Sequence, residues 1–305
     1  MKILVTGGTG FIGTNLVHEL KKRNHEVWIC DLLNHSIENY TRCDVSQMRQ
    51  VEKIFDSNKF DYVYNLAAEY GRWNGEDYYE NLWNTNVIGT KNIIRMQEKY
   101  HFKLIDFSSS EVYGDYEGIM SEDVMEKFEI KQMNDYAMTK WVNEMQVLNS
   151  ANMYDTETVR VRPINCYGPF EHYTPYRGFV PKFIYCALFD KPYTVYTKHT
   201  RTIDYVEDTC RTFANIIDNF IPGEVYNVGG IKETNIKYIS DYILNSLDKD
   251  DSLITYKDYE IQTTKKKIID NSKAISDLDH KPVTTPEEGI KKTIEWFKKF
   301  YNVTT

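Results

Sequence analysis

Near its start the chain reads Gly7-Gly8-Thr9-Gly10-Phe11-Ile12-Gly13, and no other stretch restricts the fold as strongly. The apolar run from Lys2 to Thr6 precedes it and has the character of a buried strand. Phe11 to Arg23 follows, with Phe11, Leu16 and Leu20 on one face of a helix. Glycines at such a strand-to-helix junction allow a tight turn and let the backbone approach a pyrophosphate without side-chain obstruction. The helix N-terminus adds unpaired N–H groups and the positive end of its dipole. Glycine spacing alone would also serve a surface turn; the strand before it and the helix after it make the phosphate reading specific. Gly7, Gly10, Phe11, Ile12 and Gly13 are therefore the expected contacts to a dinucleotide.

The next apolar run, Glu26 to Cys30, reads as a second strand and ends at Asp31. A carboxylate there accepts hydrogen bonds from the adenosine ribose and repels a 2′-phosphate, which favours NAD over NADP. Runs at Phe60 to Leu66, Lys103 to Ser108 and Thr158 to Arg162 alternate with helical patterns around Gln47 to Phe55 and from Tyr78 to Tyr100. This repetition predicts an α/β fold, a Rossmann-type doubly wound parallel sheet. After Arg162 the alternation lapses, and Pro169, Pro175, Pro181 and Pro192 punctuate shorter elements that read as a smaller C-terminal α/β lobe. The last helix has a sharp start: Thr285 caps it, Pro286 suits its first position and Glu288 completes a capping box. Its apolar face runs Ile290, Ile294, Phe297, Tyr301 and is expected to pack in the core.

Composition narrows the class. A formal charge of −8 provides no general attraction to nucleic acid. The basic run Lys265 to Lys267 reads as a solvated strand edge. Five cysteines, widely spaced and without zinc-type spacing, argue for reduced thiols and no metal site. No apolar stretch approaches the length of a membrane span, so a cytoplasmic protein is expected.

Tyr136 and Lys140 are four residues apart in a predicted helix and project from one face. A tyrosine ordinarily ionises near pH 10. An adjacent ammonium, together with a nicotinamide's positive charge, is expected to lower that value and allow the phenolate to take a hydroxyl proton. Tyr-x-x-x-Lys is a common chance pattern, but this chain holds one copy, placed where the fold requires it. Serines end the strand before it, in Ser108-Ser109-Ser110-Glu111-Val112-Tyr113-Gly114. Alone they would read as strand termination.

With the glycines three apart, this set resembles the short-chain dehydrogenase/reductase superfamily. Asp44-Val45 resembles its adenine-contacting pair, and Leu66-Ala67-Ala68 its segment beside the cofactor, although Asn65 stands where many relatives have histidine. Asn86-Val87-Ile88-Gly89-Thr90 resembles the central-helix motif, with Asn86 on the nicotinamide side. Arg162-Pro163-Ile164-Asn165-Cys166-Tyr167-Gly168-Pro169 resembles the passage into the sugar lobe, and Arg201 with Tyr205-Val206-Glu207-Asp208 a further marker. The similarity spans nearly the whole chain and points to the extended branch of nucleotide-sugar epimerases, dehydratases and decarboxylases.

The resemblance implies a division into 1–165, an NAD-binding domain with the catalytic residues, and 166–305, mainly a nucleotide-sugar lobe with elements returning to the first. It makes Ser109, Tyr136 and Lys140 catalytic and places Pro163 with the cofactor contacts. Asn165, Gly178, Phe179 and Arg201 become substrate contacts, Arg201 gripping the diphosphate; alone, Arg201 would read as a surface salt bridge. Tyr196 is a base contact or a core residue. The segment Glu69 to Glu76, containing Tyr70, reads as a substrate-covering loop at the sheet's carboxyl edge, and its content resembles enzymes acting on GDP-heptoses. A homodimer through the helices near Tyr78–Tyr100 and Tyr136–Leu148 is implied in the same way.

The expected reaction is NAD-dependent oxidation at C4 of a nucleotide-diphosphate sugar, giving a 4-keto sugar or its 4-epimer. Many dehydratases carry Thr-Asp-Glu where this chain has Ser109-Ser110-Glu111, and Ser110 is a poor acid. Glu111, as a base beside the ketone, keeps a 4,6-dehydratase or decarboxylase open; as a salt-bridge partner it would do neither. A catalytically silent NAD-binding regulator is the rival of another class, and the intact Ser109, Tyr136 and Lys140 set speaks against it.

Overall fold

The computed structural model describes residues 1–303. Its centre is a seven-stranded, all-parallel sheet. In chain order the strands are β1 (Lys2–Thr6), β2 (Glu26–Asp31), β3 (Tyr40–Arg42), β4 (Tyr62–Asn65), β5 (Lys103–Phe107), β6 (Thr158–Pro163) and β7 (Val225–Val228). Across the sheet they run β7-β6-β5-β4-β1-β2-β3. The order reverses at β1, so a crevice opens at the carboxyl ends of the strands beside it, where ligands bind in open α/β sheets.

Period-two alternation sorts the strand side chains onto two buried faces. Ile3, Val5, Tyr64, Ile105, Val159 and Val161 face α1 (Phe11–Lys22). Leu4, Val63 and Leu104 face α2 (Met48–Ser57) and α3 (Thr90–Tyr100). Each fully buried aliphatic side chain contributes about 1.5–3 kcal/mol to such a core. Tyr136 and Lys140 lie on α4 (Asp135–Tyr154), capped by Asn134, whose side chain accepts from the Ala137 amide at 2.8 Å.

The second half is built around α5 (Phe179–Leu188), α6 (Val206–Asn215), α7 (Ile236–Ser246) and α8 (Pro286–Phe300). Helices α5, α7 and α8 share a separate apolar cluster that includes Ile184, Ile239, Ile290 and Phe297. Helix α6 instead packs on the sheet, where its Val206, Cys210 and Phe213 join the α1 face, and the second half also supplies β7. The Thr285 capping box with Pro286 at the first turn is present as the sequence predicts. All five cysteines are free thiols. No described helix is long and apolar enough to cross a membrane.

One expectation is refined here and one is corrected. The helix read from Tyr78 to Tyr100 runs without interruption from Tyr79 to Tyr100, with a π-helical segment Asn84–Gly89 between Tyr79–Trp83 and α3. The extra residue in the turn brings Asn86 inward and lets Gly89 approach Val45, whose Cγ2 would stand 2.6 Å from an added Cβ. The run Lys265 to Lys267 lies at a sheet edge with Lys265 and Lys266 solvated, as expected, but Lys267 departs from that reading. Lys266 and Lys267 form a short strand beside Thr200–Thr202, and alternation leaves Lys266 exposed while Lys267 is buried.

Candidate active site

Two adjoining cavities occupy the crevice. The first runs along the glycine turn. Gly7 adopts φ +66°, and a Cβ there would stand 2.8 Å from the Ala67 amide nitrogen. At Gly13 a Cβ would fall 2.2 Å from the Gly7 carbonyl oxygen. Side chains are thus excluded, and the backbone itself forms the floor. Gly10, Phe11 and Ile12 line the same cavity. Asp31 stands at its far end; its Oδ2 accepts from the Thr9 amide at 3.0 Å and from the Thr9 hydroxyl at 2.6 Å. Asp44 and Val45 line that end, while Leu66, Ala67, Ala68 and Pro163 line the stretch toward Tyr136 and Lys140. A peptide-floored cradle, a helix N-terminus and a carboxylate beyond them fit the pyrophosphate and adenosine ribose of NAD.

Asn86, expected beside the nicotinamide, does not line this cavity. It is fully buried; its Oδ1 accepts from the Glu69 amide at 2.8 Å, and its Nδ2 donates to the Glu69 carbonyl and the Thr139 hydroxyl, both at 3.0 Å. Its side-chain amide is engaged in fixing the loop that follows β4, so it positions Glu69 and Tyr70.

The second cavity is more polar and lies between that loop, the segment 163–183 and the short strands of the second half. Ser109 and Glu111 enter it from the turn after β5, where the Ser109 Oγ accepts from the Glu111 amide at 3.2 Å. Tyr70, Asn165, Gly178, Phe179, Tyr196 and Arg201 all line it. Gly178 caps α5 and Phe179 begins it. Asn165 donates to the Thr202 carbonyl at 3.0 Å.

Arg201 departs from its expected role. Its terminal nitrogens donate to the carbonyls of Thr200, Lys265 and Thr264, each at 2.8 Å, and one lies 2.9 Å from Nδ1 of His199. A bidentate grip on a diphosphate requires those bonds to be exchanged. In this arrangement Arg201 secures the loop that leads to Lys267.

Tyr136 belongs to both cavities, with Ser109 on the sugar side and Lys140 on the dinucleotide side. Lys140 does not point its ammonium at the phenol. Nζ donates to the Phe107 carbonyl at 2.7 Å and lies 5.9 Å from the Tyr136 ring centroid. Burial lowers this lysine to about 8, with Asp106 opposing. Burial also pushes the Tyr136 phenol up to about 12; the Ser109 hydroxyl pulls it down, Glu111 pushes it up and Arg177 pulls it down. Among the protein's own groups, desolvation of the phenolate outweighs the neighbouring charges; the expected lowering draws also on a nicotinamide's positive charge.

Several residues at the site escaped the sequence reading. Lys267 pairs with Glu111 inside the second cavity. Arg72 pairs with Glu260 at 2.9 Å and ties the loop after β4 to the segment before Lys267. Arg177 stacks on Tyr70, 3.5 Å from the ring centroid. Glu171 is buried with Oε2 unpartnered, and burial raises it to about 7 against the pull of Arg177. None of these lies in a local motif. Alternation along Lys265 to Lys267 was the one available signal, since adjacent strand residues face opposite ways.

Similarity to known proteins agrees with this geometry. A model of the NAD dependent epimerase/dehydratase family matches residues 3–229. UDP-N-acetyl-alpha-D-glucosaminuronate decarboxylase of Bacillus cytotoxicus is 31% identical over 319 residues, which cover 99% of each chain. The structure of UDP-glucose 4-epimerase of Thermotoga maritima with UDP-glucose has a TM-score of 0.89 at 26% identity and covers 99% of this chain and 100% of that one. That of dTDP-glucose 4,6-dehydratase from Bacillus anthracis in complex with NAD has a TM-score of 0.85 at 26% identity, over 98% and 97% of the two chains. With its glycine cradle, its Ser109, Tyr136 and Lys140 set and a family match over most of its length, the chain belongs to the NAD-dependent epimerase/dehydratase family of extended short-chain dehydrogenases/reductases.

Proposed function

We propose that the protein oxidises C4 of the sugar in a nucleotide-diphosphate sugar and ends at the 4-keto sugar or its 4-epimer. One observation carries this reading: Tyr136 stands in the wall common to the dinucleotide cavity and the polar cavity. In its phenolate form a side chain in that position can accept a proton from a sugar hydroxyl while Ser109 holds the same oxygen by a hydrogen bond. NAD, when bound, supplies the two-electron acceptor at C4. Lys140, fixed to the Phe107 carbonyl, presents its remaining donors toward the dinucleotide cavity. Asn165, the start of α5 and Arg201 would hold the diphosphate, Arg201 by exchanging its carbonyl partners. Tyr70 and the loop around it cover the sugar, and Tyr196 is placed to meet the base.

A second reading has its own observation. Lys267 keeps Glu111 ionised beside Ser109, so a carboxylate base is ready next to a ketone at C4. Such a base supports a 4,6-elimination or the handling of a sugar carboxylate, as in a 4,6-dehydratase or a decarboxylase. Exposed Ile88 on the π-helical segment before α3, with exposed Met138, Met145 and Leu148 on α4, supports a homodimer through that face.

The test is conversion of UDP-, dTDP- and GDP-linked hexoses, the corresponding uronates and a GDP-heptose, followed by product mass spectrometry and chromatography. Loss of two hydrogens, or unchanged mass with a new retention time, supports the oxidation and epimerisation reading. Loss of water or carbon dioxide establishes the second. No conversion by NAD-loaded protein across the panel would sink both and leave a silent dinucleotide-binding regulator.

A further inference from the structure

Four residues line both cavities: Tyr70, Tyr136, Pro163 and Arg177. Arg177 is the charged one among them, and it stands where a sugar bound in one cavity meets a dinucleotide bound in the other. Its plane is fixed by stacking on Tyr70, 3.5 Å from the ring centroid. Tyr70 is held in turn through a 3.1 Å hydrogen bond between its phenol and the Thr174 hydroxyl, and the Arg177 amide donates to the Thr174 carbonyl at 3.2 Å. The loop after β4 and the loop before α5 therefore set this guanidinium together.

Of the other cations lining the polar cavity, Lys182 stands on α5 away from the dinucleotide side, and three are engaged by the protein. Arg72 is paired with Glu260, Arg201 with backbone carbonyls and Lys267 with Glu111. Arg177 keeps a buried Nε without a partner. A buried donor without a partner is costly, and an acceptor carrying negative charge beside it would offset that cost. The proposed chemistry brings such charge to this place, because a proton leaves a sugar hydroxyl for Tyr136. Lys140, turned to the Phe107 carbonyl, does not meet that charge directly.

We propose that Arg177 is a catalytic cation, stabilising negative charge shared between the Tyr136 oxygen and the sugar oxygen during proton transfer. The inference rests on the oxidation proposed above. No bond to Arg177 forms or breaks; the proton passes from the sugar hydroxyl to the phenolate oxygen, and the guanidinium stays protonated throughout. The charged groups acting on the phenol are Glu111, which opposes its ionisation, and Arg177, which favours it; Arg177 also draws the Glu171 carboxyl down against its burial.

Two measurements on Arg177→Met and Arg177→Lys test the role. The first needs no turnover: 3-fluorotyrosine placed at position 136 reports ionisation by 19F NMR as pH is raised. Loss of the cation should move that titration upward by about one pH unit, the low end of the effect of a close opposite charge. Arg177→Lys should restore part of the shift. The second is steady-state kinetics on the panel sugar that the wild type converts. Arg177→Met should lower kcat by about 100-fold with KM changed less than about 3-fold, as expected for charge met mainly in the transition state. An unmoved titration, or a raised KM with kcat intact, would overturn the proposal. Tyr136→Phe in the same assay separates the two readings: if it keeps turnover, the oxidation scheme fails, whereas an unaffected Arg177→Met beside an inactive Tyr136→Phe removes only the role of Arg177. Should Arg177→Met not fold, Arg177→Gln takes its place in both measurements, and a wild-type titration in that variant overturns the proposal.

Discussion

Glu111 and Lys267 stand 156 positions apart in sequence and meet as a largely buried ion pair in the polar cavity. Burial alone would raise the Glu111 carboxyl, but Lys267, Arg72 and Arg201 outweigh it and hold the group below the usual carboxylate range. Burial lowers Lys267 to about 8, with Glu111 opposing, so the pair is ionised at neutral pH. Lys267→Met removes the larger counter-charge. The acid limb of the rate profile should then move upward by about 1–3 pH units. Breaking a buried pair should cost on the order of 3 kcal/mol in urea unfolding. Lys267→Met combined with Glu111→Gln should recover most of that loss; if the double variant is as unstable as the single, the pair is not the cause.

Lys140 gives a stability effect of opposite sign. Its folded-state value, about 8, lies below the ordinary lysine value of 10.5. Between those two pH values the folded protein binds fewer protons than the unfolded chain, so this group makes stability rise with pH across that window. Below pH 8 the charged, buried ammonium is a net cost. Lys140→Met should therefore raise unfolding free energy at pH 7 by on the order of 1 kcal/mol while abolishing turnover. Its advantage over wild type should shrink as pH rises from 8 toward 10.5, and a constant difference across that range would contradict the assignment.

Asp31 should set the preference between dinucleotides. Asp31→Ser removes the carboxylate that repels a 2′-phosphate and also leaves the Thr9 amide without its acceptor. Isothermal titration should show NADP binding tightened by about tenfold, roughly 1.4 kcal/mol, with NAD binding weakened. Unchanged selectivity would mean that the ribose lies elsewhere.

Gly10 and Gly13 should respond differently to alanine. At Gly13 the new Cβ meets the Gly7 carbonyl at 2.2 Å and the Gly8 Cα at 2.8 Å, so backbone must move and about 1–3 kcal/mol of stability should be lost. At Gly10 the contact within 4 Å is the Gly7 carbonyl at 3.2 Å. Gly10→Ala should therefore fold with less than about 1 kcal/mol of loss yet bind NAD at least tenfold more weakly, because its methyl enters the phosphate path. Thermal melts with and without NAD distinguish the two outcomes.

Features confined to a few consecutive residues were readable before any coordinates. The glycine turn, the Thr285 cap and the pairing of Tyr136 with Lys140 on one helical face all follow from short-range periodicity. Elements that depend on partners far along the chain were not. Strand β7 is four residues long and lacks a signal of its own until β6 is beside it. The π-helical segment is invisible in the apolar pattern because its cause is the docking of Asn86 on Glu69. Lys267 and Arg177 reach the site through the path of the second half, and their neighbours in sequence carry no chemistry that marks them. Arg201 was correctly placed at the cavity, but its carbonyl partners on the Lys265 loop could not be anticipated from its own motif.

The position of β7 also governs how the molecule is assembled. Until residues 225–228 are available, the backbone donors and acceptors along one side of β6 have no strand to meet. A nascent or proteolysed chain ending between β6 and β7 would thus present a six-residue strand with one unpaired backbone edge and with Val159 and Val161 stripped of part of their cover, open to pairing with another copy. Productive maturation therefore requires the ribosome to release the distal half before the proximal half is safe from self-association, and a physical cut at the apparent lobe boundary would yield an aggregating fragment instead of a minimal dinucleotide-binding unit.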